Sequence, residues 1–134
     1  MPSEIFPGVF VGDQADGQTW GNGTDRLLCV LEQPSQRNGV AWIPILMQKQ
    51  VTFARASQLD AVAAIIEDSL KCGQRILVHC GAGIERSPLA LAWWLVTSGR
   101  LKTLDEAYRL LIEKRPIVQD RRAWLEMLPK DNRA

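Results

Sequence analysis

Apolar and polar residues alternate along this chain in blocks of two different periods, and these blocks predict an α/β fold. Short apolar runs bounded by turn residues are typical of buried strands, and longer segments repeat their apolar residues at helical spacing. The predicted strands are Val9 to Val11, Leu27 to Leu31, Val40 to Ile45 and Ile76 to Val78. Strands that alternate with helices favour a central, mostly parallel sheet with helices on both faces.

Four helices are predicted, over residues 57–71, 89–96, 103–114 and 121–128. Ser57 with Asp60 matches the pattern of an N-terminal cap, and a capping box from Thr103 to Glu106 predicts the start of the third helix. The second helix carries Trp93 and Trp94 side by side, and neighbouring helical residues do not share a face. We therefore expect one of these tryptophans in the core and the other partly exposed.

Length and charge narrow the class of protein. With 134 residues, the chain is predicted to form one domain over residues 1–134. Sixteen basic and fifteen acidic residues leave a net charge of +1, which argues against nucleic-acid binding and against a polybasic membrane patch. No apolar run is long enough to span a bilayer, and no secretory signal is visible. We expect a cytoplasmic monomer without nucleic-acid or membrane partners.

The three cysteines and single histidine show no metal-ligand spacing, so neither a metal site nor a cofactor is expected. An odd number of cysteines also favours reduced thiols. Cys29 lies in an apolar run and is predicted to be a core residue, and Cys72 closes a helix. The sequence leaves open whether Cys80 forms a reversible disulfide with either of these cysteines.

The segment from Ile76 to Pro88, ILVHCGAGIERSP, carries the candidate chemistry. A strand leads into it and a helix leads out, with Cys80 at the turn and Arg86 six residues later. Gly81 and Gly83 are expected to relax the limits on φ in a tightly curled loop. Amide groups at a helix N-terminus bind phosphate, and an arginine adds a bidentate fork. The predicted phosphate-binding residues are Gly81, Ala82, Gly83, Ile84, Glu85 and Arg86.

Cys80 is the predicted nucleophile of this loop. A free thiol titrates near pH ~8.5, and nearby cations with a helix N-terminus lower that value to roughly 3.5–7.5. Ser87 follows the arginine and can donate its hydroxyl to the sulfur, which helps the thiolate leave. His79 precedes the cysteine, and we expect its ring to point away and to hydrogen-bond the backbone rather than act as a base.

The pattern H-C-x5-R-S resembles the signature of cysteine-dependent protein phosphatases, in particular their compact dual-specificity branch. Two further segments resemble that branch, IFPGVFVG at residues 5–12 and WIPI at 42–45. A third, RPIVQ at 115–119, resembles the glutamine loop of tyrosine phosphatases and their small prokaryotic relatives. The resemblance implies a dual-specificity-type fold and hydrolysis through a cysteinyl phosphate. It also implies that Gln119 positions the water for the second step, although a polar residue after an apolar pair is also an ordinary loop exit.

One departure from the family affects the expected chemistry. The family has an aspartate just after the segment that WIPI at 42–45 resembles, where it protonates the leaving group. This chain instead continues Leu46, Met47, Gln48, Lys49, Gln50, without a carboxylate. Glu85 and Asp120 are alternative acids, but we favour a Glu85 that pairs with an arginine or a backbone N–H, and an Asp120 that caps the last helix.

These observations predict a phosphomonoester hydrolase that acts on a phosphorylated protein or a small aryl phosphate. Without an acid, phosphotyrosine is favoured over alkyl phosphates, because a phenolate leaves more easily. The alternative is a phosphate- or phosphoprotein-binding module with negligible turnover. Several basic residues could flank the cleft, and most are expected to be solvated surface charges: Lys49, Arg55, Arg115, Arg121 and Arg122.

Overall fold

The computed structural model describes residues 1–21, 24–45 and 54–129, and within them the chain forms five strands and four α-helices. The strands are β1 (Ser3–Phe6), β2 (Val9–Gly12), β3 (Arg26–Cys29), β4 (Ala41–Trp42) and β5 (Ile76–His79). The helices are α1 (Gln14–Thr19), α2 (Ala56–Lys71), α3 (Arg86–Thr97) and α4 (Leu104–Lys114), followed by a 3₁₀ turn at Arg122–Trp124.

The strands form one sheet in the order β1-β2-β5-β3-β4. The edge strand β1 runs antiparallel to β2, and the other neighbouring pairs are parallel. The predicted fold class is therefore confirmed. Strand β5 lies in the centre, between β2 and β3, and its last residue, His79, pairs in register with Gly12 and Cys29. The loop that follows β5 thus starts at the carboxyl edge of three parallel strands.

Alternate residues of the sheet face two different layers. Ile76 and Val78 of β5 belong to the main core, which is built with α2, α3 and α4. Leu77 faces the other side, where it packs in a smaller cluster with Trp20 and Leu27. The short helix α1 lies on this second face, since its Gly17 lies against the ring of His79. Helices were predicted on both faces of the sheet, and the structure has helices on both faces.

Two elements were not predicted from the sequence, and two strands are shorter than predicted. Strand β3 ends at Cys29, two residues before the predicted end at Leu31. Strand β1 pairs with β2 across a tight turn, and α1 begins with a reciprocal capping box between Asp13 and Asp16. Helix α1 has only six residues and includes a glycine, so its sequence lacks an apolar period. Of the run Val40 to Ile45, only Ala41–Trp42 is a strand.

The expectation for the paired tryptophans was wrong, because both are buried. Trp93 and Trp94 are 3% and 0% exposed. Helix α3 lies between α2 and α4 as well as against the sheet, so it has no solvent face at this position. Both indole N–H groups donate to carboxylates of α2, Trp93 to Asp60 and Trp94 to Glu67, each at 2.7 Å. No described helix, α3 included, is long and apolar enough to cross a membrane.

The predicted cap of α2 was also wrong. The helix begins at Ala56, and the flanking Arg55 makes no side-chain cap. Instead, the amide of Ala56 donates to the carboxylate of Glu126 at 3.3 Å. A cap supplied from 70 residues away leaves no local signal for a sequence pattern to detect.

The last predicted helix, from Arg121 to Leu128, is not formed. Only Arg122–Trp124 make a 3₁₀ turn, after which Leu125 is extended and forms a parallel bridge with Ala54. The backbone of Ala54 donates to the carbonyl of Trp124 and accepts from the amide of Glu126. This pairing uses backbone groups that a continuing helix would need, so tertiary contact replaces helical bonding here.

His79 is packed between the sheet and α1. Its side chain is buried, and a Cβ atom added to Gly17 would lie 2.8 Å from the ring. Burial lowers the pKa of His79, and this effect outweighs the hydrogen bond to Cys80 and the charges of Asp13 and Asp16, which act to raise it. The ring is therefore neutral in the folded protein near neutral pH.

The lowered pKa of His79 predicts a pH-dependent stability. In the unfolded chain the histidine binds a proton below about pH 6.5, whereas the folded chain resists it, so acid favours unfolding. We expect the free energy of unfolding, measured with urea, to fall between about pH 7.5 and about pH 5.5 in the wild type. His79→Gln should lessen this fall. An identical pH slope in the two proteins would contradict the prediction.

Candidate active site

The predicted strand–loop–helix around Cys80 is present in the structure. Strand β5 ends at His79, the loop follows, and α3 begins at Arg86. The start of the loop is held to its neighbours: the amide of Cys80 donates to the carbonyl of Gly12 in β2, and the amide of Val30, which follows β3, donates to the carbonyl of His79. Residues 80–86, named here the phosphate loop, thus lie at the carboxyl edge of the sheet, where α/β folds bind ligands.

Every carbonyl group of residues 81–85 accepts a hydrogen bond from outside the phosphate loop. Backbone amides bond three of them: Gln14 bonds Gly81 and Gln119 bonds Ile84, each at 3.0 Å, and Leu89 bonds Glu85 at 3.1 Å. The side chain of Arg115 bonds the other two. By contrast, the amide groups of residues 81–87 donate to no acceptor in the described part of the chain. Among the residues that the structure describes, seven N–H groups are therefore without a protein acceptor and are available to an anion.

Gly83 is required by the course of this loop. Its φ is +70°, and a Cβ atom there would lie 2.8 Å from the backbone of Gly12 and from the guanidinium of Arg115. The same expectation for Gly81 was wrong: its φ is not positive, and a Cβ atom there would only touch Leu31 at 3.9 Å. Only one of the two glycines therefore meets a steric requirement.

The three residues predicted to perform the chemistry lie together. The sulfur of Cys80 is 3.1 Å from the hydroxyl of Ser87, and both residues are buried. The half-exposed Arg86 lines the same cavity, and its guanidinium has no hydrogen-bond or salt-bridge partner among the described residues. The arrangement leaves a positive group available beside a nucleophile whose sulfur can accept a hydroxyl hydrogen bond.

Glu85 pairs with an arginine, as the sequence analysis favoured. Arg121 donates to one oxygen of Glu85 through Nε at 2.9 Å and Nη2 at 2.6 Å. The same Nη2 donates to Oε1 of Gln119 at 2.6 Å. Because guanidinium groups only donate, the amide oxygen of Gln119 must face Arg121. Arg121 thus joins Glu85 of the phosphate loop to Gln119.

Asp120 holds the turn that follows it. Its Oδ1 accepts the amide N–H of Arg122 at 3.0 Å, and its carboxylate also pairs with the Arg122 side chain. Partial burial acts to raise the pKa of Asp120, but the hydrogen bonds and charge of Arg122 outweigh burial and lower it. The expected cap was wrong: the helix is only a 3₁₀ turn, its N-cap position is Arg121, and no side chain caps it. The segment that lacks a carboxylate, residues 46–50, lies outside the described residues.

His79 contacts the loop through its ring nitrogen. Nδ1 lies 3.2 Å from the carbonyl oxygen of Cys80, an atom that can only accept, so Nδ1 carries the proton. Because consecutive strand residues face opposite sides of the sheet, the ring points away from the sulfur of Cys80.

The two other cysteines lie in different places relative to Cys80. Cys72 is exposed at the C-terminal end of α2, before β5, whereas Cys80 follows β5. Cys29 is the buried last residue of β3, next to His79. Burial raises the pKa of the Cys29 thiol, so this group is protonated at neutral pH.

The cavity above Cys80 measures about 200 Å³. Its lining residues are Cys80, Gly81, Ala82, Ile84, Glu85, Arg86 and Gln119. All seven are residues that the sequence had singled out. Arg115 was one of five basic residues of which most were expected to be solvated surface charges, but it is 7% exposed and donates to the carbonyl of Gly83. No local pattern reports such a contact, since 32 residues separate Arg115 from Gly83.

Comparison with known proteins agrees with this geometry. The sequence family described as the dual specificity phosphatase catalytic domain matches residues 27–133. Putative tyrosine phosphatase 123R of Invertebrate iridescent virus 6 is 26% identical over 133 residues, which cover 98% of this chain and 92% of the viral protein.

Solved structures show the same fold. The crystal structure of PTPMT1 superimposes with a TM-score of 0.76 at 17% identity, over 97% of this chain and 92% of that one. The human tyrosine phosphatase-like serine/threonine/tyrosine-interacting protein superimposes with a TM-score of 0.71 at 17% identity, over 92% and 90%. With most of its length matched by the family and its loop built around Cys80, this chain belongs to the dual specificity phosphatase catalytic domain family.

Proposed function

We propose that this chain is a phosphomonoester hydrolase that acts through a cysteinyl-phosphate intermediate, on a phosphorylated protein or a small aryl phosphate. The observation that carries the proposal is the phosphate loop itself. Five carbonyl groups are bonded outside the loop, while the amide groups of residues 81–87 have no acceptor among the residues that the structure describes. Such a ring of N–H groups at a helix N-terminus suits a tetrahedral dianion.

In the first step the thiolate of Cys80 attacks phosphorus, an S–P bond forms and the bond to the leaving oxygen breaks. Arg86 and the loop amides bind the three non-bridging oxygens and stabilise the charge that spreads over them. The leaving oxygen then takes a proton from solvent, since the segment Leu46 to Gln50 supplies no acid.

In the second step a water molecule attacks the cysteinyl phosphate, and the S–P bond breaks to release inorganic phosphate. Ser87 donates to the departing sulfur, consistent with their separation of 3.1 Å. Gln119 orients the water. One lone pair of its Oε1 accepts from Arg121, and the second remains for the water.

The lack of an acid favours aryl phosphates as substrates. General acid catalysis contributes roughly 10²–10⁴-fold, and its loss weighs most on leaving groups of high pKa, such as the alkoxides of serine and threonine. A phenolate depends less on protonation when it leaves. Glu85 does not replace the acid in this proposal, because its carboxylate already accepts two hydrogen bonds from a guanidinium.

The alternative is a phosphoprotein-binding module with negligible turnover. It is supported by the same missing carboxylate. A reactive thiol with a hydroxyl partner serves no purpose in simple binding, and this argument favours the enzyme.

The leaving-group dependence of turnover tests the proposed function. With aryl phosphates of graded leaving-group pKa, we expect kcat to rise steeply as that pKa falls, with no loss of rate on the basic side. A flat dependence with a bell-shaped pH profile would show that an acid operates after all. Absence of turnover in a protein that binds tungstate, a tetrahedral oxyanion, would establish the binding module.

Replacing the nucleophile separates chemistry from binding. Cys80→Ser should abolish turnover, because a serine hydroxyl is not ionised here, while tungstate affinity measured by calorimetry stays within a few-fold of the wild type. Loss of both would assign Cys80 a role in folding instead.

Restoring a carboxylate should rescue slow leaving groups. Met47→Asp or Gln48→Asp is expected to raise kcat for alkyl phosphates by up to roughly 10²-fold, and to change kcat for the best aryl phosphates little. The matched controls are Met47→Asn and Gln48→Asn, which cannot donate a proton as an acid. An equal change across all leaving groups would count against a missing acid.

Removing the charge of Glu85 tests its exclusion as the acid. Glu85→Gln keeps an acceptor for Arg121, so kcat for aryl phosphates should stay within a few-fold of the wild type. A fall of about 10²-fold or more, largest for poor leaving groups, would identify Glu85 as the general acid.

A further inference from the structure

Arg115 is a buried charge without a counter-charge in the described part of the chain. The residue is 7% exposed, at the end of α4, and its guanidinium contacts no carboxylate there. Buried arginines are ordinarily paired with an acid, because removing an ion from water is costly. An unpaired cation at this depth therefore calls for an explanation.

All the partners of Arg115 are neutral oxygens. Nε donates to the carbonyl of Gly83 at 3.0 Å, and Nη2 makes a longer contact of 3.5 Å with that of Ala82. Nη1 donates to the carbonyl of Met1 at 2.9 Å and to the hydroxyl of Ser3 at 3.0 Å. The group thus links the back of the phosphate loop to the N-terminal segment.

These contacts determine which way two peptide units of the loop point. The carbonyl of Ala82 shares a peptide plane with the amide of Gly83, and the carbonyl of Gly83 shares one with the amide of Ile84. In a trans peptide the C=O and N–H groups point in opposite directions. When Arg115 holds the carbonyls outside, the two amides turn to the anion side. Its positive charge also polarises both peptide units in that sense.

The close approach at Gly83 shows how tightly this arrangement is built. A Cβ atom at Gly83 would lie 2.8 Å from Nη2 of Arg115. The glycine therefore serves both the positive φ of the loop and the contact with the guanidinium.

We propose that Arg115 is a positioning residue of the phosphate site, which acts through the carbonyls of Ala82 and Gly83 and supplies the buried positive charge that a bound phosphate dianion balances. This inference rests on the proposed phosphatase function. It assigns Arg115 a role different from that of Arg86, which lines the cavity and touches the anion itself.

The test compares Arg115→Met and Arg115→Lys with the wild type. Methionine removes the charge and both loop hydrogen bonds, and lysine keeps the charge. Arg100→Met is the matched control. Arg100 is also partly buried and pairs with Glu67 far from the loop, so its loss lowers stability without touching the site. Melting temperature reports stability, and the affinity for tungstate reports the anion site without any turnover.

Arg115→Met should weaken tungstate binding by about 10- to 100-fold, as expected for lost hydrogen bonds to a charged group. Arg115→Lys should recover part of this loss. With an aryl phosphate, KM should rise and kcat should fall, since the loop amides that bind the transferred phosphoryl group are less well held. Arg100→Met should bind tungstate as the wild type does.

Unchanged tungstate affinity, KM and kcat in Arg115→Met, with only a lowered melting temperature, would overturn the inference and leave Arg115 a structural role. If Arg115→Met does not fold, the tungstate affinity of Arg115→Lys decides. An affinity equal to that of the wild type contradicts the proposal, and a loss of affinity smaller than that expected for Arg115→Met supports it. A wild type that binds tungstate but lacks turnover would instead refute the proposed enzyme and leave the role of Arg115 in anion binding intact.

Discussion

The carbonyl groups of residues 81–85 each accept a hydrogen bond from a donor outside the phosphate loop, and the site depends on this. The donors come from the start of α1, the end of α4, the segment before the 3₁₀ turn and α3 itself. Because a planar peptide cannot direct its carbonyl outwards without directing its N–H inwards, these contacts create the ring of free amides. The anion site is therefore a product of the whole fold, although all its lining amides lie in one short segment.

Three arginines near the loop show how position decides the use of one side-chain type. Arg86 lines the cavity without a described partner, Arg121 joins Glu85 to Gln119, and Arg115 is buried against carbonyls. Their charges act at different distances from the anion. A charge that touches the substrate stabilises it directly, whereas a charge behind the loop acts through the peptide dipoles.

Binding and proton transfer depend on different parts of the chain. The loop, Arg86 and Ser87 form a connected unit whose geometry is held by backbone contacts. The segment Leu46 to Gln50 has no carboxylate in the sequence, and in the proposed function the leaving oxygen takes its proton from solvent.

The sequence by itself determined the parts that short-range patterns encode. Apolar runs and helical spacing located β5, α2, α3 and α4, and the motif around Cys80 located the site, since strand, turn and helix follow one another there. Only the tertiary structure decided the rest: the cap of α2 by Glu126, the burial of both Trp93 and Trp94, the strand-like Leu125 in place of a helix, and the burial of Arg115. Each of these depends on a partner many residues away, and a contact between distant residues leaves no period or motif in the local sequence.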